Sequence, residues 1–253
     1  MRSSGPRWGY GMIGLVTLVV VWEVLGRTVF ADGRAVPPPT KILSQLGTDG
    51  LTFYWPNVRT TLREAGEGWL WGNGIAILMA FVLVQVPLVE RALLRLALVS
   101  YCLPVIAIGP VLAVLFSGDT SKVILAALSV MFTTLVAALV GLRGADRTSL
   151  DLIRAYGGGT WIQLWKVRLR ASLPSLFAGL RIAAPAAMLG AIIGEYLGAE
   201  SGLGVAMINS QQSLAVERTW GIALVATAIS GAAYGLTALA SRLLTPWAPR
   251  TSR

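Results

Sequence analysis

Apolar runs separated by short polar segments make up most of the chain. Each run is about as long as the roughly 20 residues that a helix needs to cross the hydrocarbon core of a bilayer. Four of the runs contain no charged residue, and the first and fifth are interrupted by only a few. The pattern predicts an all-α membrane protein with a single domain, residues 1–253. Its six predicted transmembrane helices are residues 12–30, 68–89, 96–118, 123–142, 180–199 and 219–241.

The first apolar run has two interpretations, a cleaved signal peptide or a retained transmembrane helix. Arg2 and Arg7 precede it, as basic residues precede a signal peptide. The residues that follow, 34–37 (RAVP), contain no clear small-x-small cleavage site, and the long run ends in a Trp-Glu pair. We therefore expect a retained helix.

The distribution of basic residues predicts the orientation. The chain carries 21 lysines and arginines against 12 acidic residues, a net charge of +9. With six spans, about two thirds of the basic residues fall on the side of the termini, so the positive-inside rule places both termini in the cytoplasm. The long connecting segments are then residues 31–67 outside and 143–181 inside, with a medium one at 200–218 outside. The basic excess indicates topology rather than nucleic-acid binding.

The composition argues against a catalyst. Only 13% of the residues are charged, 55% are hydrophobic, and histidine, the commonest general base and metal ligand, is absent. The single Cys102 cannot form an intramolecular disulfide or a thiolate zinc site. The P-loop pattern is missing, because residues 118–122 (GDTSK) lack the second glycine before the lysine. We expect no catalytic residue, no metal and no cofactor in this chain, and any ATP that powers it must bind to another polypeptide.

Two acidic residues lie inside predicted spans. An ionisable group in a span costs about 2.5–3.5 kcal/mol at mid-helix and is therefore a functional candidate. Glu195 is the candidate for a translocation path or outer gate, and Glu23 is the weaker case. Either side chain could also reach the interface or a water-filled cavity without binding anything. Gly190, Gly194 and Gly198 repeat every four residues around Glu195, a spacing that favours either a path or subunit interface, or ordinary packing within the subunit.

The segment 143–178 is the most informative polar region. Residues 151–156 (DLIRAY) predict a short amphipathic helix, which the glycines 157–159 break. Thr160 can cap a second helix, and Pro174 should end it before the fifth span. Two short helices with an exposed apolar face suit either the docking of a partner or a position in the headgroup interface. The apolar residues of the second helix are Trp161, Leu164, Trp165 and Val167.

This segment resembles the EAA loop of ABC-transporter permease subunits, in which Glu-Ala-Ala precedes a glycine and then an Ile/Val-x-Leu-Pro string. The matching positions are Asp151 at the Glu, Leu152 and Ile153 at the Ala pair, Gly157, the hydrophobic Val167 and Leu169, and Pro174, whereas Arg170 stands where the family has its first proline. The bulk of the two residues at the Ala positions and the shorter acid at the Glu position alter the expected docking geometry.

Further strings are similar to those of nitrate/sulfonate/taurine-type permeases, and the resemblance covers roughly residues 12–248. Residues 36–43 (VPPPTKIL) look like the proline segment that follows the first span in that group. Residues 179–182 (GLRI) and 194–204 (GEYLGAESGLG) look like its G-L-R-[IV] and A-E-x-L-G-A-x-S-G-L-G strings. The strings around the fifth span are the specific ones.

The resemblance implies a type I ABC importer permease fold in the bacterial inner membrane. It implies two cytoplasmic ATPase subunits, a second permease copy, identical or related, and an extracytoplasmic substrate-binding protein. Transport would then proceed by alternating access, with a sulfonate, nitrate or related organic anion as the small solute. The residues that the segment 143–178 would use for coupling to the ATPase are Asp151, Leu152, Ile153, Gly157, Trp161, Leu164, Leu169 and Pro174.

Two other classes of protein fit the apolar pattern. An ion-coupled secondary transporter would need intramembrane acids paired with polar partners, or broken helices in corresponding halves of the chain. A membrane scaffold without transport activity is the third interpretation, because a fold alone does not establish a function.

Overall fold

The structure is a computed structural model that describes residues 7–30, 35–86, 95 and 104–248. In these ranges every regular element is a helix. The helices are α1 (Arg7–Arg27), α2 (Pro39–Leu83), α3 (Val105–Leu115), α4 (Thr120–Arg143), α5 (Arg147–Ala155), α6 (Thr160–Gln163) with a π-helical turn (Leu164–Arg168), α7 (Leu169–Tyr196), α8 (Leu203–Gln212) and α9 (Val216–Leu244).

Five of these helices are long and apolar enough to cross a membrane, and α3 is a shorter apolar helix. This agrees with the predicted all-α membrane fold. The end of the predicted second span and the start of the third, residues 87–94 and 96–103, lie outside the described residues, as does Cys102. The predicted third span is therefore described only from residue 104 onwards.

Helix α2 corrects the prediction of a long external loop over residues 31–67. The helix begins at Pro39 and continues into the second span, interrupted only at Gly50, whose φ of 63° is non-helical. The physical reason is a buried stripe at helical spacing, which extends well beyond the uncharged run. Along this stripe the buried residues are Tyr54, Val58, Thr61, Ala65, Gly68, Gly72, Ala76, Ala80 and Leu83.

Helix α4 lies at the centre of the bundle, between α2 and α7. Small residues allow both neighbours to approach closely: a Cβ at Gly72 would come within 2.5 Å of the Ala127 carbonyl oxygen, and one at Gly190 within 2.8 Å of the Ala126 Cα. Thr134 on α4 also donates a hydrogen bond to Asn73 on α2. Close backbone contact and interhelical hydrogen bonds hold helices together where lipid removes most of the hydrophobic driving force.

The segment after α4 corrects a second expectation. Asp146 accepts a hydrogen bond from the Ser149 backbone N–H and caps α5, and this bond holds the pKa of the Asp146 carboxyl below its usual value. Thr160 does not cap the next helix, which follows Gly159 without a side-chain cap. Pro174 does not end it either, because α6, the π turn and α7 form one continuous helix over Thr160–Tyr196. Proline is tolerated inside membrane helices where neighbouring groups satisfy the freed carbonyl.

The bundle has two distinct ends. Helices α5 and α6 lie at one end, which we call the inner end after the predicted orientation. The opposite, outer end carries the start of α2, helix α8 and the start of α9, held by the ion pair of Arg218 with the buried Asp49 at 2.6 Å. Trp220 adds a hydrogen bond from its Nε1 to the Ala35 carbonyl oxygen. The cellular side of each end stays a prediction.

Candidate functional site

Glu195 lies at the outer end of α7, where it is 1% exposed. Its carboxylate accepts a hydrogen bond from the Thr61 hydroxyl at 2.6 Å and another from the Gly204 backbone N–H at 2.5 Å. Thr61 in turn accepts a hydrogen bond from the Leu203 backbone N–H at 2.9 Å. Glu195 and Thr61 therefore each satisfy one free N-terminal amide of α8, and their hydrogen bond ties that helix to α2, in the manner of an acidic helix cap.

Two glycines of the string 194–204, Gly202 and Gly204, are explained by this contact. A Cβ at Gly202 would lie 2.3 Å from the Glu195 carboxyl carbon, and a Cβ at Gly204 would lie 2.8 Å from the Glu195 Cβ. Gly202 also has a φ of 128°, in the region that favours glycine. Its N–H donates to the Asn57 side-chain oxygen at 3.1 Å. We call residues 198–204 the outer segment, and its path around Glu195 requires glycine at both positions.

A substitution in the outer segment tests this explanation. Gly202→Ala should destabilise the protein by about 2–4 kcal/mol, because the new methyl group clashes with a buried carboxylate and the backbone is strained. Gly198→Ala is the matched control, since Gly198 has a φ of 136° but no atom of the described residues lies within 4 Å of its Cβ position. Thermal unfolding in detergent should show a larger loss for Gly202→Ala. Equal losses would mean that backbone strain alone, without the Glu195 contact, explains the glycine.

Two further charged side chains complete this buried group. Glu64 on α2 is fully buried, and the carboxyl groups of Glu64 and Glu195 are neighbours. Lys122 on α4 is 4% exposed, and its Nζ lies 3.8 Å from Glu64 Oε1. We call Thr61, Glu64, Lys122 and Glu195, with the backbone amides of residues 203 and 204, the Glu195 cluster. It joins four helices, α2, α4, α7 and α8, at one point.

An ion-pair network continues from the Glu195 cluster to the surface. Lys122 Nζ donates to Asp119 Oδ1 at 2.9 Å, and Asp119 also contacts the guanidinium of Arg63. The hydrogen bond from Lys122 holds the pKa of the Asp119 carboxyl below its usual value, so this carboxylate is ionised at neutral pH. Lys122 thus has its hydrogen bond with Asp119, whereas its contact with Glu64 is too long for one.

Sequence reasoning identified Glu195 and missed Glu64, Thr61 and Lys122. Glu64 and Thr61 fell in the segment predicted to be a loop, and Lys122 was counted as a residue between spans. The signal that could have identified Glu64 is its position beside the buried stripe of α2. The pairing of Glu64 with Glu195 is not visible in the sequence, because the two residues are far apart along the chain.

The other acid and the glycine repeat occupy separate positions. Glu23 accepts hydrogen bonds from the backbone N–H and the hydroxyl of Thr40, and so caps the start of α2. Gly190 and Gly194 face α4, where a Cβ at Gly194 would lie 2.9 Å from the Lys122 Cα. This placement corresponds to packing within the subunit. Gly198 follows the end of α7, in open space, so the structure does not bring the three glycines to one common surface.

The inner end carries an exposed apolar surface, which we call the inner aromatic surface. Trp161 and Trp165 pack edge to face with their ring centroids 6.0 Å apart. Gly157, with a φ of 77°, lies in the turn between α5 and α6, the helix in which Trp161 lies. The members of the surface and their exposed fractions are Leu152 (57%), Tyr156 (84%), Trp161 (63%) and Trp165 (55%).

The remaining predicted coupling residues lie around this surface, with one correction. Leu164 is 3% exposed and packs in the core with Leu83 and Leu142, so it does not belong to an exposed docking face. Asp151 is exposed and pairs with Arg154 at 3.1 Å. Ile153, Leu169 and Pro174 are half-buried. Next to Leu169 lies an apolar groove of about 490 Å³ between α2 and α6, lined by Leu78, Phe81, Val82, Gln85, Val86, Trp161, Leu164 and Trp165.

A helical bundle with five helices long and apolar enough to cross a bilayer defines a multi-pass membrane protein. No group of three or more metal-ligating side chains is found in the described part of the chain. The chain belongs to the family of binding-protein-dependent transport system inner membrane components, which matches residues 72–248. It is therefore the permease component of a binding-protein-dependent ABC importer, and in such systems the ATPase is a separate subunit.

Several curated relatives carry substrate names. The formylaminopyrimidine transport permease of Halalkalibacterium halodurans is 30% identical over 74% of this chain and 75% of its own length. The riboflavin transport permease of Chloroflexus aurantiacus is 30% identical over 93% of this chain and 88% of its own length. The taurine transport permease of Escherichia coli is 26% identical over 92% and 87% of the two chains. The sulfonate/taurine-like resemblance of the sequence is thereby confirmed.

Proposed function

We propose that this chain moves a small organic solute across the bacterial inner membrane by alternating access, driven by ATP hydrolysis on two cytoplasmic ATPase subunits. The observation that carries the proposal is the direct connection between the inner aromatic surface and the Glu195 cluster. Trp161 lies near the beginning of a continuous helix, Thr160–Tyr196, and Glu195 lies near its end.

This helix is long enough to transmit a displacement from the inner end of the bundle to the outer end. Its 37 residues correspond to about 55 Å at 1.5 Å per residue, more than the thickness of the hydrocarbon core. A movement of Trp161 and Trp165 by a docked ATPase would therefore be transmitted to the outer segment without an intervening flexible loop. Pro174 and Pro185 lie within the helix and are positions where it can bend. ATP-driven closure of the ATPase pair would displace the inner end and release the outer segment.

The inner aromatic surface is the proposed contact with the ATPase. Large exposed aromatic side chains are enriched at protein interfaces, where they supply most of the binding energy. We further propose that a second permease copy packs beside this one. Helix α9 supports this, because Gly231 and Gly235 leave open space on its surface and such flat surfaces allow close helix approach.

The substrate proposal starts from the relatives. The relatives are named for taurine, a sulfonate, and for formylaminopyrimidine and riboflavin, which are heterocycles. We propose a small organic solute of this range, with organic anions such as sulfonates as the first class to test. Specificity would reside largely in an extracytoplasmic binding protein. Thermal shift of that partner with taurine, an alkanesulfonate, nitrate, riboflavin and formylaminopyrimidine would identify the class, and a shift with none of them would contradict the proposed range.

Reconstitution tests the transport function. The chain should co-purify with an ATPase subunit and, in proteoliposomes that contain both and the binding protein, should take up solute only when ATP is supplied. Uptake that continues without ATP and depends on an ion gradient would support the secondary-transporter alternative instead. If the three proteins assemble but take up none of the solute that the binding protein is known to bind, the result would support the alternative of a membrane scaffold without transport activity.

The contact with the ATPase is tested by truncating the inner aromatic surface. The double variant Trp161→Ala/Tyr156→Ala should lower the amount of co-purified ATPase at least tenfold, because tryptophan and tyrosine are the residues enriched at interface hot spots, where truncation to alanine costs about 2 kcal/mol or more, and about 1.4 kcal/mol is a tenfold change in affinity. Leu214→Ala is the matched control, since Leu214 is an 82% exposed apolar residue at the outer end. Unchanged recovery of ATPase with the double variant would place the contact elsewhere.

A further inference from the structure

The Glu195 cluster contains one carboxyl group whose hydrogen bonding is incomplete. Glu195 accepts two hydrogen bonds, whereas no described residue donates a hydrogen bond to either oxygen of Glu64, although both atoms are fully buried. A buried carboxylate without hydrogen bonds is strongly disfavoured and normally neutralises. Glu64 therefore differs from Glu195 in its hydrogen bonding, not only in position.

Lys122 does not supply the missing hydrogen bond. Its ammonium lies 3.8 Å from Glu64 Oε1 and 2.9 Å from Asp119 Oδ1, so its hydrogen bond goes to Asp119. The other described charged groups near the cluster are Asp119 itself, Arg63, which contacts Asp119, and Glu67, which pairs with Arg63 at 3.9 Å. The Tyr196 hydroxyl on α7 is a further titratable group near Glu195. Helix α8 contributes no charged side chain, only backbone amides. If both carboxyl groups were ionised, Lys122 would be the only buried cation beside them among the residues that the structure describes.

We propose that Glu64 holds a proton and acts as a positioning residue for the outer segment, by donating an O–H hydrogen bond to the Glu195 carboxylate. The neutral acid removes the repulsion between the two carboxyl groups, and Lys122 balances the single negative charge that remains. The Glu195 carboxylate then accepts three hydrogen bonds, from Thr61, Gly204 and Glu64. These hold the outer segment against α2 and α7.

The arrangement predicts how transport depends on Glu64. When the outer segment moves away, Glu195 loses the Gly204 donor and the pair of carboxyl groups is exposed to water, so the shared proton can leave. Raising the pH would therefore favour release of the outer segment, whereas lowering it would favour the closed arrangement. This readout rests on the proposed transport function, but the protonation state of Glu64 is measurable on the purified chain alone.

Two variants separate the proposal from its alternatives. Glu64→Gln keeps a donor for Glu195 without charge, and Glu64→Met has similar volume without a donor. In the assembled importer at neutral pH, Glu64→Gln should transport within about twofold of wild type and Glu64→Met should lose at least tenfold. Glu64→Gln should also flatten the alkaline side of the pH profile. The exposed Glu67→Gln, on the same helix, is the control and should follow wild type throughout.

Each other outcome contradicts the proposal. Equal loss in Glu64→Gln and Glu64→Met would show an ionised Glu64 that pairs with Lys122, and wild-type behaviour of both would show a space-filling residue. Infrared difference spectra of the purified chain at neutral pH provide an independent measurement, even if Glu64→Met does not fold or transport is absent. Wild type should show the carbonyl stretch of a protonated carboxyl group that Glu64→Gln lacks. Its absence from wild type would overturn the proposal while leaving the transport function intact.

Discussion

Replacing Gly157 with proline is expected to abolish ATP-driven transport while leaving membrane insertion intact. Gly157 has a φ of 77°, which proline cannot adopt because its ring fixes φ near −65°. The substitution also removes the hydrogen bond from the Gly157 N–H to the Arg154 carbonyl oxygen, 2.9 Å long. The turn between α5 and α6 would therefore change direction, and the inner aromatic surface would no longer fit a docked ATPase.

The control for this prediction lies two residues further along. Gly159 has a φ of −75°, which suits proline, so Gly159→Pro should retain most of the transport activity. Three measurements separate transport, docking and insertion. Uptake in proteoliposomes reports transport, co-purification of the ATPase reports docking, and the amount of protein in the membrane reports insertion. If Gly157→Pro transported at the wild-type rate, the segment 143–178 would not be the coupling element.

Replacing Glu195 with glutamine is expected to lower the transport rate several-fold and to destabilise the fold by about 1–3 kcal/mol, the typical cost of an unsatisfied buried group. Thr61 and Gly204 donate to different oxygens of the carboxylate, Oε1 and Oε2, and glutamine has an acceptor oxygen at only one of these two positions. The amide NH2 at the other position would face either the Thr61 hydroxyl or the Gly204 N–H, in place of the acceptor that is there now. Glu195→Leu, which removes both acceptors, should have a larger effect than the isosteric change.

Glu200→Gln is the matched control for Glu195, because Glu200 is exposed in the same outer segment. The initial uptake rate and the midpoint of thermal unfolding of Glu200→Gln should both equal those of the wild-type protein. Wild-type kinetics of Glu195→Gln across the pH range would remove Glu195 from the candidate site, and would leave it as an ordinary helix cap.

The sequence predicted the class of fold because membrane burial leaves a strong one-dimensional signal. A span must be apolar along its whole length, so its approximate position can be read from a single sequence. The same logic failed for residues 39–67, where helix α2 is amphipathic rather than uniformly apolar. Here charges such as Arg63 and Glu67 point outward, while Thr61 and Ala65 are buried, and a search for uncharged runs passes over this pattern.

The candidate site was predicted in part, for a similar reason. Gly157 was identified from the glycine run and Glu195 from its position inside a span, and both are local features. Leu164 and Trp161 have the same apolar character in the sequence, yet Leu164 is buried in the core and Trp161 is exposed. The orientation of α6 relative to α2 and α4 decides which of the two side chains is buried. That orientation depends on contacts with residues far away in the sequence.

The sequence by itself determined that this protein crosses a membrane several times and that a glycine turn separates two helices in the segment 143–178. The tertiary structure alone decided that α6 and α7 form one continuous helix and that Glu64, Lys122 and Glu195 meet at its outer end. The difference is physical. Hydrophobicity and backbone freedom are properties of neighbouring residues, whereas the pairing of buried charges depends on which helices pack together across the whole chain.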